Sequence, residues 1–317
     1  MDRAPVHPLS RRLIAASPRR LRPAVELAVA TTDRAGRERL PGLAAEIAFW
    51  TLLSLPALLL TVLAVGTRVG GGLGEDWRVT LIDRILEVAS VALTSETLRN
   101  VRRVLEQLVD DGGVGIASFA FLTTLWVASR AIKVVLTTLE LVYDRTELRP
   151  AWQTRLVGLG LTFGALVGGA VLLPLVLAGP AFGERIAEWA GTDQLGLAGA
   201  WRFAYWPASV VVATLAISLL YHVGVPGRTP WRRDLPGAVL ASGFWLLGSA
   251  GLRLYGTWVL ANGSAYGPLA GPIVALLWLW LTGFAVLAGA ALNAQIERKW
   301  PTPEGEFIRR TTPPVGR

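Results

Sequence analysis

The chain has 317 residues, 52% of them hydrophobic and 17% charged, and its mean hydropathy of +0.47 places it in the membrane class rather than among soluble globular domains. The lack of cysteine excludes disulfides, thiolate metal sites and thiol redox chemistry, and the only two histidines, His7 and His222, argue against a histidine-built metal centre. The formal charge of +8 does not point to nucleic acid, because the arginines gather in the first forty residues and in short loops, where they set bilayer orientation.

Residues 1–42 read as a basic cytoplasmic tail, solvated and partly disordered, able to touch anionic head groups. Its apolar stretch Ala24–Ala30 is too short for a signal-peptide core, and no small-residue cleavage pattern follows it. Leu43–Val65 is expected as the first membrane span, with Glu46 one turn inside it and Pro56 as a kink. Residues 66–113 form a long outer connection, within which Val79–Val109 reads as two short amphipathic helices capping the bundle.

Gly115–Tyr143 organises the rest. It is apolar enough to cross a bilayer, yet it carries Arg130, Lys133 and Glu140, and the helical period aligns Trp126, Lys133 and Glu140 on one face. Two readings stand at this point: long side chains snorkelling to the near membrane edge, or a functional polar site. Glu140 falls beyond the hydrocarbon in either.

The third expected span, Leu156–Ala178, has a small-residue ridge of Gly160, Gly164 and Gly168, suited to close helix packing within the chain or between subunits. Ala204–Gly224 is the fourth span and bears His222 near its end, and an arginine-rich loop follows it. Gly237–Leu260 is the fifth and contains Arg253. An uncharged outer turn with Tyr266 and Gly267 leads to the sixth, Pro272–Asn293, and the segment 295–317 is expected to be a disordered tail. The expected fold class is therefore all-α: a polytopic protein with a six-helix membrane domain over 43–294, amphipathic helices in its first outer loop, and both basic termini in the cytoplasm.

Sorted by depth, Glu46, Arg130, Lys133, His222 and Asn293 fall toward the cytoplasmic side. They define an expected polar, cytoplasm-facing cavity in which Glu46 pairs with Lys133 or Arg130. Arg253 falls toward the outer side and reads as an outward-snorkelling arginine. The sequence holds no P-loop, GxSxG, HExxH or paired-carboxylate motif, and the glycines at 70–74 lack the strand and helix that a phosphate cradle needs.

Five pieces in order then carry a resemblance: Ser54–Leu60, LWVASRAIKVVLTTLELVYD (Leu125–Asp144), YHVGVP and RTPWRRDLPGAVLAS within Tyr221–Ser242, AYGPLAGPIVALLWLWLTG (Ala265–Gly283), and GAALNA (Gly289–Ala294). Together they resemble the YihY/virulence factor BrkB family over about Leu43–Trp300. The resemblance implies a six-span bacterial inner-membrane protein linked to envelope integrity, with transport or lipid handling as its role. The old ribonuclease BN label of that family finds no metal-ligand cluster or nuclease domain here. Two positions depart from the family pattern: Ala291 stands where an acidic residue is common, and Leu139–Glu140 where a Leu-Asn pair is.

The expected function is that of a non-enzymatic transporter or lipid-handling protein, with Arg130 and Lys133 offering charge to an anionic head group and Glu46 as their counter-ion. The alternative is an envelope scaffold acting through the outer loop. Expected partners are membrane lipids, anionic ones included, and a second copy docked through the Gly160 ridge; no cofactor and no nucleic acid are expected.

Overall fold

The structure is a computed structural model, and it describes residues 18–69 (apart from 20), 114–165 (apart from 146 and 147), 197–261 (apart from 228 and 229) and 270–303, with isolated positions between 83 and 106 and at 306. Among the described residues every regular element is helical. In chain order these are α1 (Arg22–Arg37), α2 (Leu40–Val69), α3 (Val114–Val142), α4 (151–165), α5 (Leu197–Gly224), a single 3-10 turn at Trp231–Arg233, α6 (Leu235–Ala261) and α7 (Ala270–Lys299). Within the described residues three stretches are long and apolar enough to cross a membrane: Pro207–Gly224, Trp231–Thr257 and Pro272–Lys299, with mean hydropathies of 1.6, 1.4 and 2.1. Leu40–Ser54 is a shorter apolar helix.

Helix extends beyond the expected spans at both ends of the chain. In the basic N-terminal segment, expected to be partly disordered, residues 22–37 form α1, started by Pro23, whose fixed φ suits a first helical turn. At the other end, helix α7 continues to Lys299, and both Gln295 and Thr302 are buried. In both places backbone hydrogen bonding and ion pairs extend order beyond the apolar stretch that hydropathy detects. Tyr266, Gly267, Gly168 and most of Val79–Val109 lie outside the described residues. Of that loop, positions 83, 86, 99, 102, 103 and 106 are helical, and Arg102 pairs with Asp83 and, at 3.6 Å, with Glu106.

Contacts divide the chain into two compact units. The first comprises residues 1–41, 135–244 and 285–317, and the second residues 42–134 and 245–284. In the first unit, small residues bring the helices close. A Cβ on Gly224 would lie 2.6 Å from Leu139 Cδ1, so only glycine lets α5 approach α3 this nearly. A Cβ on Gly289 would overlap the Gly237 carbonyl, and would sit 2.5 Å from the Tyr221 hydroxyl and 2.9 Å from Ala241 Cβ. Helices α5, α6 and α7 therefore meet at Tyr221, Gly237 and Gly289, backbone against backbone. Polar side chains tie the same helices: the fully buried Tyr221 donates from its hydroxyl to Val286 O (2.6 Å), and Thr214 lies 2.9 Å from Ser242 Oγ.

In the second unit, a Cβ on Gly248 of α6 would lie 2.6 Å from Leu281 Cδ1 of α7. Beside that contact, Trp245 Nε1 donates to Thr282 Oγ1 at 3.1 Å and Trp278 Nε1 to Ser249 Oγ at 3.2 Å. The outward faces carry large apolar side chains such as Leu247, Leu254, Trp152 and Phe163. In water such a surface invites aggregation; in hydrocarbon it is the surface required.

Candidate functional site

The first unit gathers helix ends, and arginines close them. Helix α3 ends in a Schellman motif: Arg145 N–H donates to Glu140 O (2.8 Å) and Asp144 N–H to Leu141 O (3.2 Å), with Asp144 in the left-handed conformation at φ 53°. Of its last carbonyls, Leu141 O accepts only the Asp144 N–H of that motif, and Val142 O lies beyond the helical ladder. The guanidinium of Arg34 supplies a further donor: Nη2 reaches Leu141 O at 2.8 Å, Val142 O at 3.1 Å and Asp144 Oδ1 at 2.7 Å. This arginine is only 3% exposed, and its charge also faces the negative end of the α3 dipole. Its Nε lies 3.3 Å from Glu38 Oε1, an ion pair without hydrogen-bond alignment.

Asp144 binds a second guanidinium, that of Arg298 at the end of α7. Partial burial raises the cost of ionising this carboxyl, but the hydrogen bonds from Arg34 and Arg298 and their charges outweigh it and hold Asp144 below its ordinary value. Lys299 likewise docks on α1: its Nζ lies 3.0 Å from Glu26 Oε2, and that hydrogen bond keeps the Glu26 carboxyl below its ordinary value.

The end of α5 is closed the same way. Buried Arg145 donates to Pro226 O at 2.6 Å, and Arg149 to Val223 O at 3.3 Å. At the start of α6, Asn293 of α7 serves as a cap from another helix. Its Oδ1 accepts from Gly237 N–H at 2.7 Å and its Nδ2 donates to Asp234 O at 2.9 Å. Asp234, 1% exposed, faces His222 Nδ1 at 3.1 Å, and the His222 ring stacks on Trp231 with centroids 5.6 Å apart. Arg233 pairs with Glu297 at 3.2 Å, and Glu297 in turn accepts from the Thr302 backbone at 2.8 Å. A buried Tyr143 hydroxyl points near Asn293 without a hydrogen bond of good geometry.

Of the residues singled out by sequence, Glu140, His222 and Asn293 belong to this first unit, and Glu46, Arg130, Lys133 and Arg253 to the second. Glu140 is half-buried, 3.4 Å from Thr154 Oγ1. Glu46 is exposed. Arg130 is exposed, and its guanidinium lies 4.7 Å from the Trp126 ring centroid and 5.2 Å from that of Trp50. Two indole faces on α3 and α2 thus hold one cation by its quadrupole attraction. Lys133 and Arg253 are exposed as well. Among the described residues, a Cβ on Gly160 or Gly164 would meet nothing within 4 Å.

The sequence reading missed Arg34, Asp144, Arg145 and Asp234. Their partners lie up to 154 positions away, and no periodic pattern encodes such pairings. Only the placement of Asp234 and Pro236 before an apolar run hinted at a helix start there. Among the described residues no group of three or more His, Cys, Asp or Glu could hold a metal ion. The second unit also contains a shallow apolar groove of about 330 Å³ between α6 and α7.

Comparison with known proteins shows the family. A profile of the family described as virulence factor BrkB matches residues 31–311. The ribonuclease-like protein YfkH of Bacillus subtilis is 26% identical over 82% of this chain and 91% of its own length. A UPF0761 membrane protein of Rhodospirillum rubrum is 28% identical over 86% of this chain but 58% of its own length. Another, of Stenotrophomonas maltophilia, is 32% identical over 43% of this chain and 30% of its own. The matched region is thus a part, in places under a third, of these UPF0761 relatives. No solved structure matches the chain.

Proposed function

The chain belongs to the virulence factor BrkB family, and on that premise we propose that it is a non-enzymatic bacterial inner-membrane transporter or lipid-handling protein in which Arg130 presents positive charge to an anionic head group or substrate. The observation that carries the proposal is the position and setting of Arg130. Helix α3 has 29 residues and is therefore roughly 44 Å long, well beyond the ~30 Å of hydrocarbon it would cross. Arg130 lies twelve residues from its end at Val142, roughly 18 Å along the axis and near the middle of the helix. A snorkelling side chain would stretch toward the nearer end. This one is instead laid over two tryptophan rings, exposed, with Lys133 one turn further on. A cation kept at that depth is a binding element by default.

The helix-end arrangement supports a six-span topology with cytoplasmic termini. Contacts within the first unit join the end of α3 to α1 and to the end of α7 through Arg34 and Arg298, the end of α5 to the segment after α3 through Arg145 and Arg149, and the start of α6 to α7 through Asn293. Consecutive helices would then alternate in direction, with the arginine-rich end inside by the positive-inside rule. The other reading, an envelope scaffold, draws on Arg102, which joins Asp83 and Glu106 in the outer loop.

Mass spectrometry of what co-purifies in native lipid discs separates the two. An anionic lipid or metabolite enriched with the wild type and lost from a folded Arg130→Ala/Lys133→Ala variant is the result expected of the transporter or lipid handler. Identical profiles would favour the scaffold and turn attention to the outer loop.

A further inference from the structure

The contact between His222 and Asp234, at the helix ends of the first unit, carries an inference of its own. The Asp234 side chain is 2% exposed and that of His222 is 37% exposed, so of the two the imidazole is the one open to its surroundings. Asp234 Oδ2 lies 3.1 Å from His222 Nδ1. A carboxylate only accepts hydrogen bonds, so ionised Asp234 fixes the proton of the neutral ring on Nδ1 and leaves the lone pair on Nε2. A buried aspartate orients a histidine base in this way, holding one ring nitrogen and leaving the other to receive a proton. The ring also stacks on Trp231, with centroids 5.6 Å and planes 20° apart, and an indole face attracts a cation laid over it.

The neighbours on every side are charged or polar. From the segment after α3, buried Arg145 acts on the Asp234 charge while donating to Pro226 O at 2.6 Å, and Arg149 reaches Val223 O, next to His222, at 3.3 Å. From α7, Glu297 acts on Asp234 in the opposite sense and is paired at 3.2 Å with Arg233 of the turn before α6; Asn293 binds the Asp234 backbone oxygen. Two hydroxyls feel the same charge: that of Tyr221 is engaged by Val286 O, whereas the buried one of Tyr143 has no hydrogen bond of good geometry. One carboxylate and one imidazole are too few donors for calcium or magnesium, which take about six or more oxygen ligands, or for the tetrahedral site of zinc. A proton needs a single lone pair.

We propose that His222 and Asp234 form a proton-binding site, with His222 Nε2 as the acceptor and Asp234 holding the ring in the receptive tautomer. The proton comes from water and bonds to the Nε2 lone pair, and the pair thereby loses its net negative charge. His222 stands two residues before the end of α5 at Gly224, so the site opens to the cytoplasm under the proposed topology. Proton binding stands apart from the lipid-handling reading; only the use of this proton to couple transport rests on it.

The test is nitrogen-15 NMR of the full chain in lipid discs, labelled at histidine and carrying His7→Gln, so that every imidazole signal comes from His222. In the neutral ring, Nδ1 should carry a proton and Nε2 none; on acidification Nε2 should gain one while Nδ1 keeps its own. Asp234→Ala removes the carboxylate but keeps the backbone oxygen that Asn293 and the Ala238 N–H use. It should shift the proton of the neutral ring to Nε2, the tautomer that an unheld imidazole prefers. A neutral wild-type ring protonated on Nε2, an acidified ring whose Nε2 stays bare, or an Asp234→Ala spectrum like that of the wild type overturns the site. Should circular dichroism show Asp234→Ala unfolded, the two wild-type spectra decide alone. None of these outcomes involves lipid or substrate at Arg130, so the site can fail while the lipid-handling proposal stands, and the reverse.

Discussion

Replacing Asn293 with alanine tests how the helix ends of the first unit are held. The amide side chain satisfies two buried backbone groups at once, Gly237 N–H at 2.7 Å and Asp234 O at 2.9 Å, and is itself 3% exposed. Truncation strands the Gly237 N–H, whereas Asp234 O keeps the Ala238 N–H at 3.2 Å, and a buried polar group left without a partner costs about 1–3 kcal/mol. The expected loss is therefore about 1–3 kcal/mol, with a small further cost for the cavity. Asn293→Asp makes a sharper companion, because a carboxylate can still accept from Gly237 N–H but cannot donate to Asp234 O. It should fall between the alanine variant and the wild type at neutral pH only if the α6 N-terminus offsets its proximity to Asp234. The assay is thermal or denaturant unfolding of detergent-solubilised protein, with Gly160→Ala as a control that meets nothing within 4 Å. If Asn293→Ala unfolds together with the wild type and the control, the cross-helix cap does not stabilise the fold and this account of the first unit is wrong.

Other outcomes follow from the same geometry. Gly289→Ala should destabilise by about 1–3 kcal/mol or more, as overpacking does, since its Cβ would meet the Gly237 backbone rather than a side chain able to move; unfolding curves like those of Gly160→Ala would contradict the close approach. Arg34→Met keeps the bulk of the side chain but takes the guanidinium from Val142 O, at about 1–3 kcal/mol where water does not replace it, while Leu141 O keeps the Asp144 N–H. Faster hydrogen exchange confined to the end of α3 is the expected signature. The carboxyl of Asp144 is held below its ordinary value of 3.8. Its contribution to stability is therefore complete above that value and lost as pH falls through the lower, folded-state value. Acid should weaken the wild type below about pH 4 more steeply than Asp144→Asn, and parallel acid profiles would refute the double-arginine pairing.

The long helices were legible in the sequence because the bilayer imposes one simple pattern, a run of about twenty apolar residues. Even so, α3 and α6 match the expected spans to within two residues at each end, while α5 starts seven residues earlier than Ala204 and α7 ends six later than Asn293. Hydropathy marks where hydrocarbon begins; the backbone goes on hydrogen-bonding past it. For the same reason α1 was read as tail: its composition is polar, and what orders it is Arg34 reaching the end of α3, a contact across 107 positions. Asn293 was found for its depth, but its role as a cap for α6 depends on the Gly237–Gly289 approach, which no spacing reveals. Arg130 was recognised as an unusual charge, but the rings of Trp50 and Trp126 over which it lies were not. An opposite charge is the partner that sequence logic supplies first; an aromatic clamp on two helices is seen only when they are packed.

The claim at the centre is that Arg130, between Trp50 and Trp126, draws anionic lipid or substrate to that point. Tryptophan fluorescence of the protein in bilayers, quenched by phospholipids brominated on the acyl chain, reads contact at those two rings. The part of the signal removed by Trp50→Phe/Trp126→Phe should be quenched more by brominated phosphatidylglycerol than by brominated phosphatidylcholine, and Arg130→Gln should erase the difference. Equal quenching by the two lipids in the wild type would show that the clamped arginine recruits no anionic lipid head group.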